Sequence, residues 1–293
     1  MENVECRSNE SGAGSLGSAP LTCSTFFCIS MNRHRLRIGL PVVLLLLTSC
    51  AGGNKTEPEP AQASPPTSAE PIQLRITGEG IQPGTVRLAD GTIVRYTVSV
   101  PHGYKSDQTC PLVVALHYAG GGSPFYGRGM VETLVGPAFA DVGAIIIAPD
   151  AQGDGPWTTP KNEDIVVWLT RSAMKTYAVD PKRVAVTGFS MGGEGTWYIG
   201  NRHQDLFTAA IPIAGRPAGS TDWKIPVYVI HSQKDQVVPI GPAEQHVKAL
   251  KANGAKVEWK VLPDLTHFQT DRYQDALREA AKWWKESGKQ KSG

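Results

Sequence analysis

The feature that most constrains this chain is a series of short, unbroken apolar runs at residues 112–116, 144–148, 184–186, 209–213 and 227–230, each bounded by Gly, Pro or Asp. A strand with one wet face alternates apolar and polar residues, whereas a strand covered on both faces does not have to. Unbroken runs of this length therefore predict strands of a parallel sheet. Parallel neighbours need long crossovers, and helical patterns lie between the runs. Residues 164–177 place Ile165, Trp168, Leu169 and Ala173 at helical spacing, and 242–252 and 271–285 are further amphipathic segments. Upstream, 85–88 and 92–98 alternate around Asp90-Gly91, which predicts a β-hairpin. The expected architecture is α/β: a mostly parallel central sheet with an antiparallel N-terminal hairpin and helices on both faces. It should occupy residues 72–287 as one domain, with a disordered tail at 288–293. There are no internal repeats, and no insertion is long enough for a separate lid domain.

The residues before the domain read differently. Arg33, Arg35 and Arg37 precede a short apolar stretch, 40–47, which ends in Leu47-Thr48-Ser49-Cys50. A basic region followed by an apolar stretch too short to span a bilayer is the layout of an export signal. The ending is similar to the bacterial lipobox, which implies lipidation of Cys50. Residues 31–50 are thus read as a lipoprotein signal peptide. Met31 opens this segment, so 1–30 are read as a non-native extension. Residues 51–71 are rich in Pro, Ala, Ser, Glu and Thr and read as a flexible linker. The expected protein is exported and held to the bacterial envelope by a lipid on Cys50, on the periplasmic or outer-membrane side. An uncleaved anchor and a signal cleaved without lipidation are the alternatives. Of five cysteines, four precede residue 51, which leaves Cys110 alone in the domain.

The chain has 29 basic and 27 acidic residues, without the concentrated positive charge of a nucleic-acid binder. The chemistry-bearing motif is Gly188-Phe189-Ser190-Met191-Gly192, a G-x-S-x-G placed between a buried run and a plausible helix. That strand–turn–helix context is what a nucleophile elbow requires. Bulk two residues before or after Ser190 would clash in such a turn, which accounts for Gly188 and Gly192. A serine hydroxyl is a weak nucleophile and needs a neighbouring base oriented by a third group. His267, in a loop after the strand-like stretch 257–262, is the candidate base. Asp235, in the loop after 227–230, is the candidate acid, with Asp264 as its rival. His231 reads as a supporting group beside Asp235. The run 112–116 leads into His117-Tyr118-Ala119-Gly120-Gly121-Gly122, a loop able to offer one backbone N–H to an oxyanion. Tyr118 and Ala119 both qualify as that donor, and Met191 would supply the second. Trp157, after Gly153-Asp154-Gly155-Pro156, is a candidate aromatic wall of the substrate pocket.

These segments, together with Tyr177-Ala178-Val179-Asp180-Pro181-Lys182-Arg183 and Phe207-Thr208-Ala209-Ala210-Ile211-Pro212, resemble bacterial carboxylesterases of the α/β-hydrolase superfamily. The branch most similar contains feruloyl esterases, polyhydroxyalkanoate depolymerase-like enzymes and prolyl-oligopeptidase-like esterases. The resemblance implies Ser190, Asp235 and His267 as a catalytic triad. It departs at Tyr118, where glycine is usual, at Glu194, where an aromatic residue is usual, and at Ser232, another usual glycine. Tyr118 and Glu194 should lie near the acyl pocket and bear on specificity. Dienelactone hydrolases, which the fold also resembles, use a cysteine nucleophile, and Ser190 stands against them.

The expected function is hydrolysis of short-chain, aryl or carbohydrate-linked esters through an acyl-enzyme, with no metal or organic cofactor implied. The expected partners are a small-molecule or polysaccharide-linked ester and, through the lipid, a membrane, but no nucleic acid. A serine peptidase of prolyl-oligopeptidase type and a non-catalytic envelope-binding protein on the same fold are the competing readings.

Overall fold

The computed structural model describes residues 70–75 and 78–287. The signal at 31–50 with Cys50, the extension at 1–30, the linker up to 69 and the tail at 288–293 lie outside the described residues. Each apolar run becomes a strand. The sheet contains β1 (Gly80–Arg87), β2 (Ile93–Val100), β3 (Cys110–Leu116), β4 (Ile145–Pro149), β5 (Val179–Phe189), β6 (Ala209–Ile213), β7 (Val227–Ser232) and β8 (Val257–Leu262). Their order in space is β1-β2-β4-β3-β5-β6-β7-β8. β2 runs antiparallel to both β1 and β4, and the remaining pairs are parallel. The hairpin closes at the expected turn: Gly91 takes φ 86°, and the Asp90 carboxylate accepts the Thr92 N–H at 2.8 Å.

The helices are α1 (Gly127–Met130), α2 (Gly136–Phe139), α3 (Pro160–Thr176), α4 (Met191–Arg202), α5 (Ile240–Ala252) and α6 (Gln274–Ser287). Alternate residues of β3 point to opposite layers. Leu112, Val114 and Leu116 pack with α3, α4 and α5, while Val113 and Ala115 pack with α1, α2 and α6. α3 starts a turn earlier than its apolar spacing indicates, because Thr159 caps it and Pro160 supplies its first residue.

The helical stretch from Gly127 to Val142 has no clear sequence signature. Gly127, Gly129, Gly136 and Pro137 interrupt its pattern. The chain accommodates the proline by widening. Val131–Val135 form a π-turn in which the Gly136 N–H reaches the carbonyl of Val131. A Cβ at 136 would lie 2.6 Å from that oxygen, so glycine is needed there. Pro137 has no N–H to offer Thr133, and the freed Thr133 carbonyl instead accepts the Gln274 side chain at 3.4 Å.

No described helix is long and apolar enough to cross a membrane.

Candidate active site

β5 lies at the middle of the sheet and ends in Phe189, so Ser190 emerges above the C-terminal edge. Ser190 adopts φ 57°, ψ −117°, a conformation L-residues avoid at a cost of about 1–3 kcal/mol. Two backbone bonds hold it there: its N–H donates to the Ile213 carbonyl, and its carbonyl accepts from Glu194 N–H, each at 2.9 Å. The crowding explains the flanking glycines. A Cβ on Gly188 would lie 2.3 Å from the Gly192 carbonyl oxygen, and one on Gly192 would lie 1.8 Å from that of Leu116. The elbow is therefore pressed against the end of β3, where the His117–Gly122 loop begins.

β7 and β8 deliver the other two groups. The Asp235 carboxylate is fully buried. Its Oδ1 accepts the N–H groups of Val237 at 3.0 Å and Val238 at 2.8 Å. Its Oδ2 lies 2.8 Å from His267 Nδ1. On the far side of the ring, His267 Nε2 lies 2.8 Å from Ser190 Oγ. An imidazole with a carboxylate on Nδ1 carries its proton there, leaving Nε2 free to accept one from the hydroxyl. Asp264 is not at the ring: it is exposed and pairs with Lys234 at 2.7 Å. Ser232 ties the two loops together at their base, its hydroxyl donating to the Leu262 carbonyl at 3.0 Å.

The other singled-out residues occupy distinct places. Tyr118 is half-buried, with its ring edge-on to Tyr126 and to Phe189. Met191 opens α4, and the N–H groups of a helix's first turn have no helical acceptor. Glu194 is half-buried in that same turn. Trp157 is fully buried, its indole N–H donating to the His117 carbonyl at 2.9 Å and its Cβ against Gly195. It braces the loop from behind and exposes no ring surface to a ligand. Sequence reasoning missed Asp150. At the end of β4 its carboxylate accepts the N–H of Phe125 at 2.6 Å, anchoring the far end of the same loop where Phe125 takes φ 61°. Burial pushes the Asp150 carboxyl above the ordinary range. Its position just past a buried run was the available signal. A cleft of about 330 Å³ lies there, lined by Arg95, His117, Tyr126, Asp150 and Gln152 among others.

His231 sits beneath Asp235. Its Nε2 donates to the Val238 carbonyl at 2.8 Å and lies 3.7 Å from Asp235 Oδ2. Desolvation pushes its pKa below the ordinary imidazole value and outweighs the opposing pull of the Val238 carbonyl and Asp235. His246, edge-on to Trp197 at 5.0 Å, is lowered by burial as well. A base whose folded pKa is depressed binds protons more readily unfolded, so its neutral form stabilises the fold above the unfolded value. That stability should be lost as pH falls below about 6.5, at a rate of up to about 1.4 kcal/mol per pH unit per group. Denaturant midpoints measured from pH 8 to 5 should fall, and fall less in His246→Gln. An equal decline in that variant would contradict the assignment.

Comparison with known proteins bears on the family pattern and the fold. Residues 150–287 match the profile of the Dienelactone hydrolase family. The match spans Ser190, so serine at that position does not set the chain apart from this family, contrary to the sequence expectation. Protein usf of Aquifex pyrophilus is 32% identical over 100 residues, covering 32% of this chain and 43% of that one. The protein named "Probable feruloyl esterase C" of Aspergillus terreus is 26% identical over 169 residues, covering 55% and 62%. The chain spans about half the length of the curated relatives it matches. Among solved structures, a thermostable esterase superposes with a TM-score of 0.55 at 26% identity, covering 70% of this chain and 60% of its own. The described residues thus form an α/β-hydrolase fold whose residues 150–287 carry the pattern of the dienelactone hydrolase family.

Proposed function

We propose that the protein is a serine carboxylic-ester hydrolase. The observation that carries this reading is the single imidazole bridging Ser190 Oγ and the Asp235 carboxylate, at 2.8 Å on each side. In the proposed reaction Ser190 Oγ bonds to the ester carbonyl carbon while its proton passes to His267 Nε2. The oxyanion is held by backbone N–H groups of Met191 and of Tyr118 or Ala119. Collapse breaks the bond to the leaving oxygen, which takes the proton from His267. Water then repeats the sequence on the acyl-enzyme and frees Ser190. The similarity to an esterase structure and to a protein named as a feruloyl esterase supports ester over amide substrates. Short-chain, aryl and carbohydrate-linked esters are the proposed class.

The basic, apolar and Leu47-Thr48-Ser49-Cys50 pattern supports an exported protein tethered through a lipid on Cys50. Intact mass of the membrane-extracted protein should show a diacylated Cys50 as first residue; an unmodified N-terminus beyond it would contradict the tether. For the activity, the purified protein should hydrolyse p-nitrophenyl acetate and butyrate with saturation kinetics. Turnover no faster than in buffer, over a panel including methyl cinnamates and acetylated sugars, would contradict the reading.

A further inference from the structure

Among the described residues three large hydrophobic side chains are exposed: Ile72, Val237 and Phe268. Isolated exposed apolar residues are ordinary, and Ile72 is of that kind. The other two are placed differently. Val237 follows Asp235 by two residues, and its N–H is bonded to that carboxylate. Phe268 follows His267, is 77% exposed, and stands edge-on to the imidazole with ring centroids 5.9 Å apart at 89°. The two loops are tied to each other by the His267 N–H, which donates to Gln236 Oε1 at 3.4 Å. Both uncovered apolar groups therefore belong to the loops that carry the acid and the base.

The direction of the proposed reaction says which part of an ester meets them. The leaving oxygen takes its proton from His267 Nε2 and so must come within hydrogen-bond reach of that atom. The carbonyl oxygen must turn the other way, toward the N–H groups at the start of α4 and the end of β3. The substituent on the leaving oxygen consequently departs on the imidazole side, where Phe268 adjoins the ring. We propose that Phe268, with Val237, binds the alcohol part of the ester and selects for an apolar aromatic alcohol. This rests on the hydrolase reading and adds which side of the substrate is recognised. A ring laid against Phe268 dehydrates both surfaces and gains the edge-to-face or offset-stacked geometry aromatic pairs favour.

The test compares benzyl acetate with methyl acetate, and methyl phenylacetate with methyl acetate. Benzyl and methyl alcohols are leaving groups of similar basicity, so the first ratio reads binding of the alcohol rather than its departure. Wild type should prefer the benzyl ester. Phe268→Ala should lower the benzyl-to-methyl ratio of kcat/KM about ten-fold, chiefly through KM, and Phe268→Tyr should restore it. The phenylacetate-to-acetate ratio should hold in both variants. An unchanged alcohol ratio in Phe268→Ala, or a shift confined to the acyl ratio, overturns the inference while leaving the hydrolase reading intact. An unchanged ratio with a lower mass by light scattering would assign the ring to a contact between two copies and equally overturns it. If wild type turns over none of these esters and Ser190 resists an organophosphonate, the hydrolase reading fails and this inference falls with it.

Discussion

Ser190→Ala is expected to lower kcat/KM for p-nitrophenyl acetate by about 10⁵-fold or more, with the fold and its melting temperature retained. The hydroxyl supplies the atom that bonds to the carbonyl, and no other group at the end of β5 can replace it. His267→Ala should cost nearly as much, because without the base 2.8 Å away the hydroxyl keeps its proton. The informative variant is the double one. If the two residues act as a single relay, Ser190→Ala/His267→Ala should be no worse than Ser190→Ala. Additive losses would mean that His267 contributes independently of Ser190. Asp235→Asn should leave Ser190 and His267 in place and still lower kcat by about 10⁴-fold, since an amide facing Nδ1 favours the wrong tautomer. A variant at Asp264, which pairs with Lys234 at the surface, should change little.

Gly192→Ala should be the most damaging conservative change in the fold. Its Cβ would lie 1.8 Å from the Leu116 carbonyl oxygen and 2.9 Å from that of His117. These are backbone atoms of a central strand and of the loop it feeds, so neither can rotate away. Either α4 lifts off β3 or the strand bends, and both disturb a close-packed layer. The expected cost is about 3 kcal/mol or more, a fall of roughly 10 °C in Tm for a domain of this size. Gly129→Ala is the control. It lies in the helical stretch of α1, is followed by Met130 rather than proline, and its would-be Cβ meets nothing within 4 Å beyond its own helix and chain neighbours, so helix propensity there favours alanine. Thermal melts of the two should move in opposite directions. Equal shifts would mean that the fit of the elbow against β3 has been misjudged.

The sheet was legible because burial on both faces leaves a direct trace: residues 144–148 and 209–213 contain no charged side chain, and both regions form strands. Ser190 and Asp235 could be picked out because each follows a buried strand, and His267 because it follows the half-buried edge strand β8, where a parallel sheet presents its loops on one edge. The chain from Gly127 to Val142 was not legible, since its helical character depends on a π-turn around Pro137 and on a carbonyl partnered from α6. Those are tertiary arrangements with no local pattern. Trp157 illustrates the converse. A tryptophan after a Gly-Pro turn reads as easily as a pocket wall as a buried brace, and only the carbonyl of His117, distant in sequence, decides that its indole is fully covered. Phe268 shows the same limit from outside. Nothing in Thr266-His267-Phe268-Gln269 says that the ring faces water, because exposure is set by what the neighbouring loops leave uncovered.

The most direct measurement is the site of covalent modification by an aryl phosphonate. A phosphorus electrophile that mimics the tetrahedral intermediate should add one phosphonyl group to the intact protein, and tandem mass spectrometry should place it on Ser190. Labelling should slow by orders of magnitude in His267→Ala and vanish in Ser190→Ala. Modification elsewhere, or at an undiminished rate without the imidazole, would contradict the account.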